Sequence, residues 1–317
     1  MSDYMCKAKK WISNNVVEEG GGLVVTHKDR ILYPEVTGYF IPSLLKIGEK
    51  DLAVSFAKHM CEIQKTNGAW HDPSDRFPFV FDGGQILKGL IAIREFLPEV
   101  DSYIMKGIEW IFSNMKDSGE LKQPKNDLWG DRDDYCNELI HIYCISPIIE
   151  AGKLFSKPDY IEKANKVLDY YIDNFKERIV NFSLFSHFYA YVIEGLIDCG
   201  KVELAREAMS NFEKYRRKDG SVWAWNNAGW TCSTATFQFA IIWYKLGEAD
   251  KANKAYEYAC SLQNESGGWY GSYIHSVLDY YPIIFKRRKL YEKNREISWA
   301  VKFFIDATYE RKHSLKN

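Results

Sequence analysis

The feature that most constrains the fold of this chain is a helical pattern that recurs six times along its 317 residues. In each copy, a loop rich in glycine, aromatic and acidic residues precedes a helix of small and apolar residues, and a short turn leads to an amphipathic helix. The first helix of each pair is apolar nearly all round, which is typical of a helix buried on both sides. Its partner carries one apolar stripe and one charged face, which is typical of a helix with one side in water.

These pairs predict six inner and six outer helices. The inner helices are predicted to begin at Gly38, Asp82, Asp134, His187, Ser233 and Glu296, and the outer helices to span residues 5–15, 50–64, 100–115, 158–175, 201–215 and 248–263. Four inner helices are predicted to stop at a left-handed glycine, namely Gly48, Gly152, Gly200 and Gly247. We therefore expect an all-α chain that forms a single (α/α)6 toroid domain over residues 1–317, rather than an open solenoid, which would need polar capping repeats.

The direction of the helices predicts where the functional site lies. Every inner helix begins at the same end of such a toroid, so the six long loops open on one face. The turns at the other face, such as CGKVE and LGEAD, are short. We therefore expect the functional residues just before and within the first turn of each inner helix.

Composition excludes several classes of partner. The net charge of -1 provides no field that would attract nucleic acid or an acidic membrane. No apolar run approaches the roughly 20 residues that a transmembrane helix needs, and the N-terminus lacks the apolar core of a signal peptide. The seven cysteines are scattered singly, without metal-ligand spacing, which indicates buried free thiols and no metal or cofactor. We expect a cytoplasmic protein with no nucleic-acid partner.

Three loops resemble the Gln-Trp repeats of the terpene cyclase and prenyltransferase superfamily of (α/α)6 toroids. They read QKTNGAW (64–70), RKDGSVW (217–223) and QNESGGW (263–269). The expected role of such a loop is structural: the Gln caps backbone at the end of an outer helix and the Trp packs behind it. The motif therefore favours the fold and says little about the reaction.

Four longer segments are similar to the prenyltransferase-like proteins found in polysaccharide-biosynthesis clusters. They are YPEVTGYFIPSLL (33–45), FDGGQILKGL (81–90), HFYAYVIEGL (187–196) and EISWAVKFFIDA (296–307). A fainter similarity links FDGGQ to the unsaturated glucuronyl hydrolases, in which acidic residues at inner-helix starts do the chemistry. The resemblance implies a role in making or modifying a polysaccharide, with Asp82 and Asp134 as the principal acidic residues.

Carboxylates gather at two of the predicted inner-helix starts. Asp82 and the pair Asp133 and Asp134 begin neighbouring helices, with Asp72 and Asp131 close in sequence. An aspartate at a helix start also serves as an N-cap, so each residue alone has a structural explanation. Two carboxylates in different environments, however, supply one protonated acid and one ionised base near neutral pH. In a glycosidase such a pair protonates the glycosidic oxygen and activates a water molecule.

The segment GDRDDY (130–135) has a second interpretation. It has the Asp-x-Asp-Asp form of class II terpene cyclases, in which the middle aspartate, here Asp133, protonates an alkene. Asp131 and Asp134 would then support its acidity. A small isoprenoid cyclase is therefore the alternative to a sugar enzyme, although those cyclases usually use two helical domains.

Further candidate residues surround these acids. His187 is a candidate acid or base, and Tyr191 lies one turn later on the same helix face. Glu35, Tyr39 and Gln85 occupy corresponding positions at the first two inner helices. The polar loop at 220–230 holds Trp223, Trp225 and Trp230, whose exposed faces would stack on sugar rings or line an isoprenoid pocket.

The longest loop, residues 267–296, is a candidate binding element. It contains Tyr273, His275 and the basic cluster FKRRK (285–289), in which Arg287 and Arg288 suit a carboxylate or phosphate. We therefore expect an enzyme that acts on an anionic sugar or glycan, free or linked to a lipid or nucleotide, by hydrolysis, elimination or epimerisation. The isoprenoid cyclase and a non-catalytic glycan-binding toroid are the alternatives.

Overall fold

A computed structural model of the protein describes residues 3–17, 21–124, 138–275 and 289–314. Twelve α-helices lie within these ranges. In chain order they are α1 (Asp3–Asn15), α2 (Pro34–Lys46), α3 (Lys50–Ile63), α4 (Val80–Ile93), α5 (Asp101–Ser113), α6 (Ile145–Leu154), α7 (Pro158–Val180), α8 (Ser186–Asp198), α9 (Val202–Phe212), α10 (Ser233–Lys245), α11 (Ala249–Ser261) and α12 (Ser298–Ser314). Short 3-10 helices span Pro98–Val100, Glu138–Cys144 and Glu213–Tyr215.

The helices belong to two compact units. Unit 1 comprises Met1–Asn15, Val25–Arg30 and Glu177–Asn317, and unit 2 comprises Val16–Val24 and Ile31–Lys176. Helix α7 passes from unit 2 into unit 1, and its backbone leaves helical geometry at Phe175 (φ -129°, ψ 20°), next to that boundary. Each unit therefore holds three of the predicted inner helices.

Unit 2 contains the inner helices α2, α4 and α6. Helix α4 packs against both α2 and α6, while the outer helices α3 and α5 pack against α2 and α4. A two-stranded antiparallel sheet pairs β1 (Val16–Val17) with β2 (Gly22–Leu23) beside this group. The inner helices are buried on nearly every side, as their sequence predicts.

Unit 1 contains the inner helices α8, α10 and α12. Helix α10 lies between α8 and α12, with α9 on α8 and α11 on both α10 and α12. The strands β3 (Thr231–Cys232) and β4 (Ser272–Tyr273) pair antiparallel. At the C-terminal ends of α10 and α8, Lys245 on α10 binds Glu194 and Asp198 of α8 at 2.9 and 2.7 Å.

Several helix boundaries in the structure differ from the prediction. Helix α2 begins at Pro34 rather than Gly38, because proline at the first helical position has the required φ and no N–H to satisfy. The third inner helix is described only from Glu138, as a 3-10 helix that becomes α-helical at Ile145. Pro147 explains this change, since a proline has no N–H to bond the carbonyl four residues earlier.

The glycine stops are confirmed at three of four positions. Gly48, Gly200 and Gly247 have φ between +77° and +81°. The prediction for Gly152 is wrong, because this residue lies inside α6 and its Cα packs closely against Ile161 of α7. Ser156 takes the left-handed position instead, with φ +53°.

The cysteine prediction is also only partly correct. Cys144, Cys232 and Cys260 are buried free thiols. Cys6 is exposed, because it lies on the water-facing side of the outer helix α1. Among the helices in the described ranges, none has the length and hydropathy needed to cross a bilayer.

Two Gln-Trp loops adopt the predicted arrangement. The Gln64 amide donates to the carbonyls of Gly68 (3.1 Å) and Tyr103 (2.9 Å), so it joins the end of α3 to α5. Gln263 donates in the same way to Gly267 and to Tyr4 of α1. The indoles behind them, Trp70 and Trp269, are buried and donate to carbonyls of the preceding outer helix.

The loop RKDGSVW departs from this pattern. Arg217 stands where the other two loops have Gln, and its guanidinium donates to the carbonyl of Gly229 and to the hydroxyls of Ser221 and Thr231. Trp223 remains half-buried. The Arg217 side chain therefore bonds the segment around β3, whereas Gln64 and Gln263 bond the next outer helix.

One glycine turn recurs in four of the connecting loops. Gly68, Gly119, Gly220 and Gly267 all have φ between +92° and +99°. An added Cβ at these positions would lie 2.0–2.6 Å from the backbone of the following outer helix, at Lys106, Lys166, Lys254 and Lys7 respectively. The turn therefore needs glycine both for its φ and for the close approach of the two backbones.

We expect Gly68→Ala to lower the free energy of unfolding by about 3 kcal/mol or more, because it combines a left-handed φ with a backbone clash at Lys106. Gly48→Ala is the matched control, since its φ is also left-handed but nothing lies within 4 Å of the added Cβ. It should cost only about 1–2 kcal/mol. Urea unfolding measures both, and equal losses would contradict the role of close packing.

Candidate functional site

In unit 2 the central candidate is Asp82, the third residue of α4. The helix cap is Phe79, and the Asp82 carboxylate makes no capping hydrogen bond there. Its Oδ2 instead accepts a hydrogen bond from the hydroxyl of Tyr33, at 3.2 Å. Asp82 therefore does not serve as the N-cap, although as an acidic residue of the first turn it lies at the positive end of the helix dipole.

The environment of Asp82 favours its protonated form. The carboxyl keeps some solvent exposure but is enclosed by protein on most sides. The pKa of Asp82 is raised to about 7, chiefly by burial; the Tyr33 hydrogen bond lowers it and the charge of Asp72 raises it. Such a carboxyl exchanges a proton near neutral pH, as an acid or base catalyst must.

Asp72 has a different environment. Burial alone would raise its pKa, but hydrogen bonds from the Ser74 hydroxyl and from the backbone N–H groups of Phe77 and Arg76 hold the pKa below its usual value. These bonds close the 72–77 loop around the carboxylate. Its oxygens are thus occupied by the loop, and substrate binding by Asp72 stays a prediction.

Three other candidates of unit 2 lie on α4 and α2. Gln85, one turn further along α4, is fully buried; its amide nitrogen donates to the Phe81 carbonyl, while its Oε1 has no hydrogen-bond partner. Glu35 and Tyr39 are buried one turn apart on α2. Burial raises the pKa of the Cys144 thiol to about 12; the charge of Lys88 lowers this pKa, and the charges of Asp82 and Glu35 raise it.

In unit 1 the central candidate is His187, in the first turn of α8. Its Nδ1 lies 2.6 Å from Oε1 of Gln238 on α10, and its Nε2 lies 3.4 Å from the Tyr191 hydroxyl. Because an amide oxygen only accepts hydrogen bonds, Nδ1 carries the proton and Nε2 is the acceptor. The Gln238 contact therefore sets the tautomer of the imidazole.

His187 is neutral over the whole physiological range. Burial lowers its pKa to about 4, the Gln238 hydrogen bond raises it, and the charge of Lys302 lowers it. The rings of Phe185, Phe188 and Tyr191 lie within 6.2 Å of the imidazole centroid. The imidazole is thus held as an uncharged hydrogen-bonding group between aromatic rings.

The tryptophan loop is predicted to expose its indoles for stacking, but in the structure two of the three indoles are buried. Trp225 and Trp230 are 3% and 2% exposed, and both pack on Phe185 with centroids 5.5 and 5.7 Å apart. A tight turn explains their burial: Trp225 and Ala228 exchange two backbone hydrogen bonds, which folds the loop back onto the start of α8. Among these indoles only Trp223 is partly exposed.

The two candidates beyond the tryptophan loop lie at β4 and just after it. The hydroxyl of Tyr273 accepts a hydrogen bond from the Tyr270 N–H and donates to the Leu262 carbonyl, so it supports the 263–269 loop. His275 is exposed, stacks on Tyr258 of the outer helix α11 and lies 2.7 Å from the Thr231 hydroxyl. Neither side chain lies at the start of an inner helix.

The structure also identifies residues that sequence reasoning missed. Gln238 orients His187, and Lys302 and Asp306 form a buried ion pair (2.8 Å) one turn apart on α12. The sequence does contain a signal for these residues, because an amide, or an opposite-charge pair spaced i, i+4, is unusual in an otherwise apolar helix. Asp131, Asp133, Asp134, Arg287 and Arg288 lie outside the described residues.

Comparison with known proteins identifies the fold. No protein-family model matches the sequence, and no curated protein matches it. The structure is similar to an unsaturated glucuronyl hydrolase specific for heparin (TM-score 0.73, 12% identity, 99% of this chain and 96% of that one). It is also similar to a D-mannose isomerase (0.72, 12%, 98% and 96%) and to a type II terpene cyclase from Scytonema (0.65, 11%, 98% and 98%). These likenesses confirm the (α/α)6 toroid fold.

We expect Asp82→Asn to stabilise the protein increasingly as pH rises from about 4 to 7. Because the pKa of Asp82 is raised from 3.8 to about 7, the folded state binds more protons than the unfolded state across that range, and its stability falls as pH rises. Removing the charge should add at most roughly 4 kcal/mol above pH 7, with partial solvent exposure reducing the gain. Thermal unfolding at pH 5 and pH 8 measures the difference.

Asp75→Asn is the control for this experiment. Asp75 is exposed and its hydrogen bond with Lys65 lowers its pKa, so the substitution should weaken the protein slightly at neutral pH. Its φ of +58° suits asparagine as well as aspartate. A gain in stability for both variants would mean that burial of Asp82 is not the cause.

Proposed function

We propose that this protein is a carbohydrate-active enzyme that uses Asp82 as a proton-transferring group on a glycan containing an anionic sugar. The observation that carries the proposal is the carboxyl of Asp82, which lies in the first turn of an inner helix with a pKa of about 7. A carboxyl that only stabilised the helix terminus would keep a low pKa and would cap the backbone. Asp82 does neither.

The chemistry follows from this half-protonated state. The protonated form donates to a glycosidic oxygen or to a developing enol, and the ionised form removes a proton next to a carbonyl. We assign the second carboxylate to Asp134, which the resemblance to the glucuronyl hydrolases pairs with Asp82. Hydrolysis, β-elimination and epimerisation all use such a pair.

The solved structures support a sugar substrate. Among the similar structures are the glucuronyl hydrolase, a possible member of the GH105 family and a cellobiose 2-epimerase from Bacillus thermoamylovorans. The basic residues Arg287 and Arg288 suit the anionic group, and the sequence resemblance to proteins of polysaccharide-biosynthesis clusters suits a cytoplasmic role in making or modifying a glycan, whether lipid- or nucleotide-linked. Unit 2 also offers the unpartnered Oε1 of Gln85 as an acceptor for a sugar hydroxyl.

The second candidate function is a class II-type isoprenoid cyclase with Asp133 as the acid. Burial of Trp225 and Trp230 among other rings favours it, because an isoprenoid chain needs an aromatic and dry wall. The similarity to the Scytonema terpene cyclase points in the same direction. The sugar proposal ranks first because more of the similar structures are sugar enzymes.

We expect Asp82→Asn and Asp134→Asn each to lower turnover of a sugar substrate at least about 100-fold, the lower end of what general acid–base catalysis contributes. The panel should include unsaturated uronyl disaccharides, neutral disaccharides and polyprenyl diphosphates, with products followed by mass spectrometry. Asp75→Asn is the matched control and should keep full activity, because Asp75 is exposed and paired with Lys65.

Each outcome of this panel decides between the candidates. Full activity of Asp82→Asn on a sugar would rule out the proposed mechanism. Turnover of a prenyl diphosphate that is lost only in Asp133→Asn would establish the cyclase. Sugar binding without turnover of any substrate would identify a glycan-binding toroid.

We further expect Tyr33→Phe to raise the pH at which Asp82 loses its proton. The Tyr33 hydroxyl stabilises the carboxylate, so its removal leaves burial unopposed and raises the pKa of Asp82 above about 7. If Asp82 acts as the acid, the alkaline limb of the kcat profile moves to higher pH. If the limb does not move, Asp82 is not the titrating group.

A further inference from the structure

Unit 1 contains three buried polar atoms that have no hydrogen-bond partner and belong to residues near the start of α8. They are Oγ of Ser186, Nε2 of Gln238 and Nε1 of Trp230. Ser186 precedes His187 in α8, Gln238 is bonded to His187, and Trp230 packs on Phe185, the residue before Ser186. The three residues thus lie around the start of α8.

Unpartnered buried groups of this kind are costly. A buried donor that loses its hydrogen bonds to water costs about 1–3 kcal/mol unless a new partner is supplied. Most buried polar side-chain atoms in folded proteins have a partner, and three orphans around one residue are unusual. The cost is offset if a ligand provides the missing acceptors.

The surroundings define the chemistry of that ligand. The orphan groups supply two N–H donors and one hydroxyl, and Nε2 of His187, whose contact with the Tyr191 hydroxyl is long at 3.4 Å, supplies an acceptor. The rings of Phe185, Phe188 and Phe303 provide an apolar wall. A sugar matches this combination, because its hydroxyl groups lie at the edge of the ring and its C–H groups lie on the faces.

The local charge indicates that the ring is neutral. The pKa of His187 keeps the imidazole uncharged, and the Lys302 ammonium, whose charge reaches His187, is paired at 2.8 Å with the Asp306 carboxylate. A buried anion needs an opposite charge that is not already neutralised. A carboxylate ligand would therefore remain uncompensated, whereas sugar hydroxyls would not.

We propose that the start of α8 in unit 1 is a binding site for a neutral sugar ring, with Ser186, Gln238 and Trp230 as donors and His187 as acceptor. The proposal rests on the proposed function only for the choice of a sugar as ligand, since the orphan atoms are independent of Asp82. Tyr291 packs against Phe185 and His187 with centroids 5.3 and 6.4 Å apart. Because the polar atoms are buried, we expect a ligand to enter only when a neighbouring ring such as that of Tyr291 moves.

Two serines make the test sharp. Ser186 and Ser233 are each the first residue of an inner helix, and both are fully buried. The Ser233 hydroxyl donates to the Tyr270 carbonyl at 2.7 Å, whereas the Ser186 hydroxyl has no partner. Replacing each serine by alanine therefore distinguishes a hydroxyl that stabilises the fold from one that is available to a ligand.

The experiment measures binding of neutral and anionic sugars to the full chain by indole fluorescence and calorimetry. The probes are D-glucose, D-mannose and cellobiose, with D-glucuronate as the anionic comparison. We expect a neutral probe to bind, and Ser186→Ala to weaken it roughly fivefold to tenfold without lowering the melting temperature of the free protein. Ser233→Ala should lower the melting temperature and leave the affinity unchanged, and Tyr291→Ala should speed association.

Two results would contradict the proposal. If no neutral sugar binds, the proposal is wrong, and a lower melting temperature of Ser186→Ala would show that water already satisfies this hydroxyl in the free protein. Glucuronate bound as tightly as its neutral counterparts would overturn the assignment of a neutral ring. Asp82→Asn should bind the neutral probe normally, so failure of the catalytic proposal would leave this result intact.

Discussion

The contact on which each unit depends is the close approach of a loop glycine to the backbone of the next outer helix. At Gly68, Gly119, Gly220 and Gly267 the two backbones are too near for a Cβ. Gln64 and Gln263 reinforce this contact by bonding the next outer helix through the side-chain amide. Each of these loops leads to an inner helix. The contact therefore helps to fix the position of that helix's first turn, where the functional residues begin.

The inner helices then place ionisable groups where burial shifts their pKa in opposite directions. Burial penalises the charged form of any group, so it raises the pKa of Asp82 to about 7 and lowers that of His187 to about 4. The protonated carboxyl becomes an acid at neutral pH, and the imidazole becomes a neutral hydrogen-bonding group. One physical effect thus gives the two units different chemical capabilities.

Much of the fold was predictable because it follows from periodic burial. The two kinds of helix, their order and three of the four glycine stops are local consequences of which side of a helix meets water. Gly152 was misread because a glycine that serves close helix packing looks the same in sequence as one that ends a helix. The Gln-Trp loops at 64–70 and 263–269 adopt the predicted arrangement, whereas Arg217 in the third loop bonds the segment around β3 through contacts that sequence spacing does not encode.

The candidate site was predictable only in part. By itself the sequence determined which residue types lie at the inner-helix starts, including Asp82, Glu35 and His187, because helix direction follows from the order of apolar and polar segments. Only the tertiary structure decided their partners. Tyr33 reaches Asp82 from 49 residues away and Gln238 reaches His187 from 51. Likewise, the polar loop around Trp225 and Trp230 is buried because a turn folds it onto Phe185, and burial of that kind depends on packing between segments distant in the chain.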